Sequence, residues 1–375
     1  MRASLGVIAL LALCAGCGPV SKLPDLDKDE LKAEQRREQI AQMRSYFSEL
    51  HRVHNVAHRI RVANRSFCRD RVAAQIGVFA AAPQSLPRRF RSFAYEAMDL
   101  NWARPTVISL AEGSPAAQAG IRDHDEIVSL NGELIPVTGT AGWMDKWLKK
   151  NGETEVSINL RRNGEDKTVV VKPVIGCSIP IQYVTSDEAN AYTDDEKIVI
   201  YSGTVAIAKT DAQLATIIGH ELGHVWLQHR GKHLVNAVVG TVAGAAVDGS
   251  FLLGALWTNG AFTREFQKAG LRAYSVAFER EADYVGAYFA ARAGYDLTGA
   301  EEIWWAMGQT HPDSLRFARS HPLAPLRFVQ MKRVAAEIAE KQRNHLPLVP
   351  DLKQIGPDAQ GSETAEANHE ALRPE

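Results

Sequence analysis

Five consecutive residues, His220-Glu221-Leu222-Gly223-His224, carry the most chemistry per position in this chain. On an α-helix, residues four apart project from one face about 40° apart, so both imidazoles reach a single ion. Glu221 flanks them closely enough to touch a water held on that ion. Zinc suits two imidazoles and a carboxylate with one position open, and it lowers the pKa of bound water to about 7. The pattern therefore predicts peptide hydrolysis, with Glu221 taking the proton of the attacking water and passing it to the leaving amine. His-Glu-x-x-His arises by chance in very roughly one chain per hundred of this size, so it needs a helix around it and a third ligand.

The helix is well punctuated. Thr210 and Gln213 have capping-box spacing, Asp211 strengthens the start, and Arg230-Gly231 offers a basic end and a glycine stop. Leu214, Ile217, Ile218, Leu222 and Val225 give the expected helix, 212–230, an apolar stripe. His229 and His233 fall roughly 180° and 220° around it from His220, and read as solvated or structural. The third ligand must come from elsewhere, and Phe278-Glu279-Arg280-Glu281-Ala282-Asp283 supplies carboxylates. One of these can bind the ion while Asp283, four residues after Glu279, holds the outer N–H of a ligand imidazole. On residue types alone Glu281 serves as well as Glu279, and a charged helix face explains the same letters.

His220-Glu221-x-x-His224 followed by Glu279-x-x-Ala282-Asp283 resembles the HtpX-like metallopeptidases, gluzincins that include the CAAX prenyl proteases. The likeness spans about 178–335. It implies one zinc per chain held by His220, His224 and Glu279, with Asp283 supporting. Ser320-His321-Pro322 and Arg327 resemble the late His-Pro…Arg motif of periplasmic members, which implies that His321 regulates access to zinc and that Arg327 binds substrate or the developing oxyanion. Asn190-Ala191 resembles the family's approach to an active-site edge strand, where substrate would lie extended. The metzincin pattern is absent, because Arg230 stands where its third histidine belongs.

The rest of the chain must position these groups. Its 375 residues allow two modest domains with extensions. A net charge of −1 argues against a dedicated nucleic-acid binder. Arg2, the apolar run 5–13 and Cys14-Ala15-Gly16-Cys17 read as a secretory signal over 1–17, too short to span a bilayer. The small residues before Cys17 resemble a bacterial lipobox, with Cys14 where Leu is usual, which implies lipidation of Cys17. Gly18 in place of Asp favours the outer membrane. Cys68 and Cys177 then remain, a candidate disulfide in an oxidising periplasm, with two buried thiols as the alternative. Such a bridge is worth at most about 4–5 kcal/mol in the chain-entropy model.

Within 18–75, positions Ile40, Met43, Phe47, Leu50, Ala57 and Ile60 predict an amphipathic helix over 28–65, a strut between anchor and core. In 76–174, Gly113-Ser-Pro-Ala-Ala-Gln-Ala-Gly-Ile121, strands at 106–110 and 125–132, and an Asn163-Gly164 hairpin resemble a bacterial protease-type PDZ domain. Such domains add a peptide to a sheet edge, and the resemblance puts the carboxylate loop near Ile76-Gly77-Val78, with 83–105 as an insertion. The third unit, 178–345, is expected to be mostly helical with one hairpin, 198–200 and 205–208, around Ser202-Gly203. The apolar segments 235–247 and 251–257 lack the unbroken run of a membrane span and suggest a small-residue helical hairpin. Residues 346–375 read as disordered.

The expected class is therefore α+β: a helical zinc-peptidase domain with a small edge-strand sheet, behind a PDZ-like barrel or sandwich. The resemblance implies a lipid-anchored periplasmic endopeptidase acting on unfolded or misassembled envelope proteins. A non-cutting chaperone or adaptor and an integral prenyl-type protease are its rivals.

Overall fold

The computed structural model describes residue 21 and residues 24–100, 102–152, 154–232, 261–310 and 325–352. Cys17, His321, the segment 235–260 and the tail from 353 lie outside the described residues. No helix among the described residues is long and apolar enough to cross a membrane.

Helix α1 runs Lys28–Ala63. Asp27 caps it, its carboxylate accepting from the Asp29 amide at 2.7 Å, and the acidic residues Asp29 and Glu30 suit the positive end of the helix. The chain divides into two compact units, Met1–Gln42 and Met43–Glu375. In the second unit the apolar stripe of α1 is buried through Met43, Phe47, Leu50, Val53, Val56, Ala57 and Ile60.

Strand β1 (Val72–Gln75) pairs antiparallel with β8 (Val174–Cys177), so the stretch between leaves and returns at one place. The Cys68–Cys177 disulfide ties the same neck, with Cα atoms 5.5 Å apart. Between them lie β2 (Val78–Ala81), α2 (Ala94–Met98), β3 (Thr106–Leu110), α3 (Pro115–Gln118), β4 (Glu126–Leu130), β5 (Glu133–Leu134), α4 (Thr140–Asn151), β6 (Val156–Arg162) and β7 (Glu165–Val171). The strands form one antiparallel sheet in the order β2-β3-β4-β6-β7, with β5 added to β4. This sheet is open, with β2 and β7 at its edges, so of the barrel or sandwich anticipated no closed barrel is seen among the described residues. Asn163 and Gly164 both take positive φ, 54° and 83°, the backbone a tight β6–β7 hairpin demands. Ile76, Val107, Ile127, Leu130, Trp147, Ile158 and Leu160 fill the core beneath the sheet.

The second part of the chain opens with β9 (Ile181–Val184), β10 (Ala191–Thr193) and β11 (Ile198–Tyr201), ordered β10-β11-β9. The anticipated hairpin at 198–208 does not form. After β11 the chain turns into a short helix, α5 (Ser202–Ile207). Ser202 Oγ accepts from the Ser186 amide and donates to its carbonyl, while Gly203 lies so close to Glu188 that a Cβ would sit 2.5 Å from its carbonyl oxygen. These contacts to 186–188 fix the backbone of 202–207 in a helical turn where a second strand was expected.

Among the described residues four longer helices follow: α6 (Asp211–Trp226), α7 (Ala261–Arg292), α8 (Glu302–Thr310) and α9 (Pro325–Arg343). At the start of α6 Thr210 Oγ1 accepts from the Gln213 amide, and Gln213 Oε1 reaches back to the Lys209 amide at 2.8 Å. Leu214, Ile217, Ile218, Val285, Tyr288, Phe289, Ile303 and Met331 share one core with Val53 and Ile60 of α1. The start of the expected disordered tail is held: Lys341 Nζ donates to the Val349 carbonyl and Asp351, and the Asp351 amide donates to Tyr284.

Candidate metal centre

Helices α6 and α7 cross at glycines. A Cβ on Gly219 would lie 2.4 Å from the Gly286 carbonyl oxygen, and one on Gly286 would lie 2.5 Å from the His220 amide nitrogen. Glycine inside a helix costs about 1 kcal/mol relative to alanine, so its use here reflects the need for backbones to touch. That approach sets the distance between the His220–His224 face of α6 and Glu279 on α7.

The three expected ligands meet. His220 Nε2 and His224 Nε2 are 3.0 Å apart, and the two oxygens of Glu279 lie 3.4 and 3.3 Å from them in turn. Tetrahedral zinc with bonds of about 2.0–2.1 Å separates its ligands by about 3.3–3.4 Å. The donor set fits the ion in type and in spacing, and all three residues are buried. Glu281, the alternative ligand, points elsewhere: its carboxylate lies 3.0 Å from His229 Nε2.

Behind the ligands runs a charged lattice. His220 Nδ1 is 2.9 Å from Asp283 Oδ1, and Asp283 receives both Nε and Nη2 of Arg327 at 2.7 and 2.8 Å. Nη1 of Arg327 is 3.1 Å from Glu279, and its guanidinium lies over the Trp304 ring. Arg327 is fully buried. It therefore fixes two carboxylates, Asp283 and Glu279, from behind. Burial works to raise the pKa of Asp283, but the adjacent Arg327 and His220 hold it below the ordinary carboxylate value. For His220 burial lowers the pKa, yet hydrogen bonds to Asp283 and Glu279 outweigh it and raise it to about 9. Without metal a proton thus supplies the positive charge this pocket demands, and a metal ion would displace it.

Glu221, 1 % exposed, sits between the ligand histidines in sequence and feels the Arg327 charge. Of the two readings open for His229, solvated or structural, burial selects the structural one. Helix α6 ends at Trp226, four residues before the expected stop, because Gln228 takes a left-handed φ of 54° and turns the chain back. His229 is consequently 1 % exposed, with its Nδ1 2.8 Å from His224 Nδ1. No sequence signal marks Gln228 for that conformation. The close-packed Gly219, Gly223, Ala282 and Gly286 do leave a signal in the sequence, small residues four apart on each helix.

In the sheet domain Gly77 has φ 77° and fits over Ser114, where a Cβ would collide at 2.2 Å. The carbonyls of Ile76 and Gly77 accept from the Ala116 and Ala111 amides, and Val78 begins β2. A cleft lies between β2 and the start of α4, lined by Phe79, Ala80, Leu86 and Ala141, with Tyr46 and Leu50 of α1 as a wall.

Comparison with known proteins matches two regions of the chain. The model of peptidase family M48 matches residues 177–333, and that of the PDZ domain matches residues 84–172. The mitochondrial metalloendopeptidase OMA1 of Arabidopsis thaliana is 27% identical over 186 residues, which cover 48% of this chain and 34% of the relative. Its namesake from Schizosaccharomyces pombe is 23% identical over 173 residues, 42% of this chain and 49% of the relative. The chain thus spans between a third and a half of the curated relatives it matches. Among solved structures, the HtrA3 PDZ domain bound to a phage-derived ligand aligns at 20% identity and a TM-score of 0.23, covering 28% of this chain and 88% of that one. The histidine–glutamate triangle lies inside the region that matches peptidase family M48, and strands β3 to β7 of the open sheet lie inside the region that matches the PDZ domain.

Proposed function

We propose that the protein is a zinc-dependent endopeptidase. The observation that carries this is the buried triangle of His220, His224 and Glu279, spaced for a tetrahedral ion beside Glu221. Zinc bound there would supply a Lewis acid, activating water and polarising a peptide carbonyl. Glu221 accepts the proton of the attacking water and delivers it to the leaving nitrogen. Asp283 holds His220 in the tautomer whose Nε2 lone pair would face the ion, and Arg327 keeps Asp283 ionised and holds both Asp283 and Glu279 in place. The cleft between β2 and α4 suits an extended peptide added to the open sheet edge, so the PDZ domain selects or presents protein substrates.

The same proposal extends to location and substrate class: lipid-anchored through Cys17 in a bacterial periplasm, on unfolded or misassembled envelope proteins. The N-terminal residues support it, and the Cys68–Cys177 disulfide favours an oxidising compartment. Metal analysis paired with casein cleavage tests the activity, comparing the purified protein with Glu221→Gln. About one zinc in both, with cleavage only by the unaltered protein, is expected. Zinc without cleavage in either points to a latent protease or chaperone, and no zinc in either sinks the proposal. For the anchor, Cys17→Ala should move the protein from the membrane to the soluble fraction; an unchanged distribution rules the lipid out.

A further inference from the structure

The two histidine ligands are supported differently. His220 leans directly on Asp283, a buried carboxylate clamped by Arg327. His224 leans on another histidine. We infer that His229 and Glu281 form a relay that fixes the tautomer and orientation of His224, making His229 a positioning residue for the metal. The inference rests on the zinc reading above.

Proton placement leaves one arrangement. His224 Nε2 faces His220 Nε2 at 3.0 Å and Glu279 at 3.3 Å, so its lone pair is the one that would meet the ion. Its hydrogen must then sit on Nδ1. That atom lies 2.8 Å from His229 Nδ1, and a contact between two imidazole nitrogens at this distance needs one proton between them. His224 donates, so His229 accepts at Nδ1 and carries its own hydrogen on Nε2. Nε2 in turn points at Glu281 Oε2, 3.0 Å away, an acceptor only. The chain of donors ends on a carboxylate, as ligand imidazoles generally require of their outer partners.

The surroundings hold the relay still. His229 is 1 % exposed and stacks on Phe278, with ring centroids 4.5 Å apart and planes 19° from parallel. Phe278 adjoins Glu279 in sequence, so the packing that orients His229 is built on the element that carries the third ligand. The left-handed turn at Gln228 makes the contact possible, since an unbroken helix would send His229 to the far side of α6. Glu281 is 45% exposed, whereas Asp283 is wholly buried, so the His224 arm ends on a weaker, more hydrated charge. Loss of Glu281 should therefore cost less than loss of His229.

Zinc affinity, measured by competition with a chromophoric chelator, separates the possibilities. His229→Phe keeps ring volume and the stack but removes the acceptor, and is expected to weaken zinc binding 10–100-fold. His229→Asn returns an acceptor near Nδ1 and should recover most of that loss, which mere packing would not do. Glu281→Gln should fall between the two. Zinc bound equally by the unaltered protein and His229→Phe overturns the relay and leaves the zinc site intact; no zinc in the unaltered protein overturns both. Should His229→Phe not fold, nitrogen NMR of ¹⁵N-histidine-labelled, zinc-loaded unaltered protein decides. Hydrogen on His224 Nδ1 and His229 Nε2 supports the relay, and hydrogen on His229 Nδ1 refutes it.

Discussion

Adding one methyl group at Gly286 should disable the metal site from behind. A Cβ there would lie 2.5 Å from the His220 amide nitrogen and 2.7 Å from the His220 Cα, whereas ordinary contact begins at 3.4 Å. Both obstacles are backbone atoms, so α6 and α7 must separate by about 0.9 Å, the difference between those limits. Glu279 rides on α7. Moved by that amount, its carboxylate passes from a bonding distance of about 2.0–2.2 Å to about 3 Å from an ion seated on the histidines. Overpacking of this kind costs about 1–3 kcal/mol, and the better helix propensity of alanine offsets up to about 1 kcal/mol. A net loss of roughly 1–2 kcal/mol lowers Tm by about 2–8 °C for a domain of this size. Zinc affinity should fall at least about tenfold, the lower end of what misplaced supporting groups cost. Gly142→Ala is the control, because a Cβ there meets nothing within 4 Å; its zinc affinity should be unchanged and its Tm equal or slightly higher. Chelator competition and thermal unfolding read both variants. If Gly286→Ala binds zinc within twofold of the unaltered protein at the same Tm, backbone contact does not set the ligand spacing.

Two further outcomes follow from the buried charges. Arg327→Met strands Asp283 and Glu279 without their cation and should destabilise the metal-free protein by about 3–5 kcal/mol in urea unfolding, with part recovered by adding Asp283→Asn; an unaltered midpoint would show the guanidinium dispensable. Burial, then nearby Arg61, lowers the pKa of His58 from 6.5 to about 4, and burial likewise lowers that of His54 to about 3. Both stay neutral in the fold while the unfolded chain takes up protons, so their contribution is complete above about pH 6.5 and is lost as pH falls towards 4 and 3. For His58 this amounts to about 3 kcal/mol, and His58→Gln should flatten the decline of Tm between pH 6.5 and pH 4. Parallel declines in the two proteins would refute the assignment.

The chemistry of this protein is written locally. Capping residues, a four-residue histidine repeat and a four-residue carboxylate repeat each act within one helix, where backbone geometry fixes which side chains share a face. The same holds for the Asn163-Gly164 turn, whose φ values follow from residue type. Hence the helix bearing His220 and His224, the carboxylate helix and the β6–β7 hairpin could be read from the chain alone. Choosing Glu279 over Glu281 needed a family likeness, because the residues themselves left both open.

Tertiary packing decided the rest. The course of 202–207 was set by Ser186 and Glu188, the place of His229 by a left-handed Gln228, and the partners of Arg327 by two carboxylates 44 and 48 positions earlier in the chain. None of these leaves a periodic or propensity signal, since each depends on which distant backbone or charge happens to lie opposite. The sequence determined which groups could bind a metal and move a proton. Only the contact of α6 with α7, glycine against glycine, determined that those groups stand close enough to share one ion.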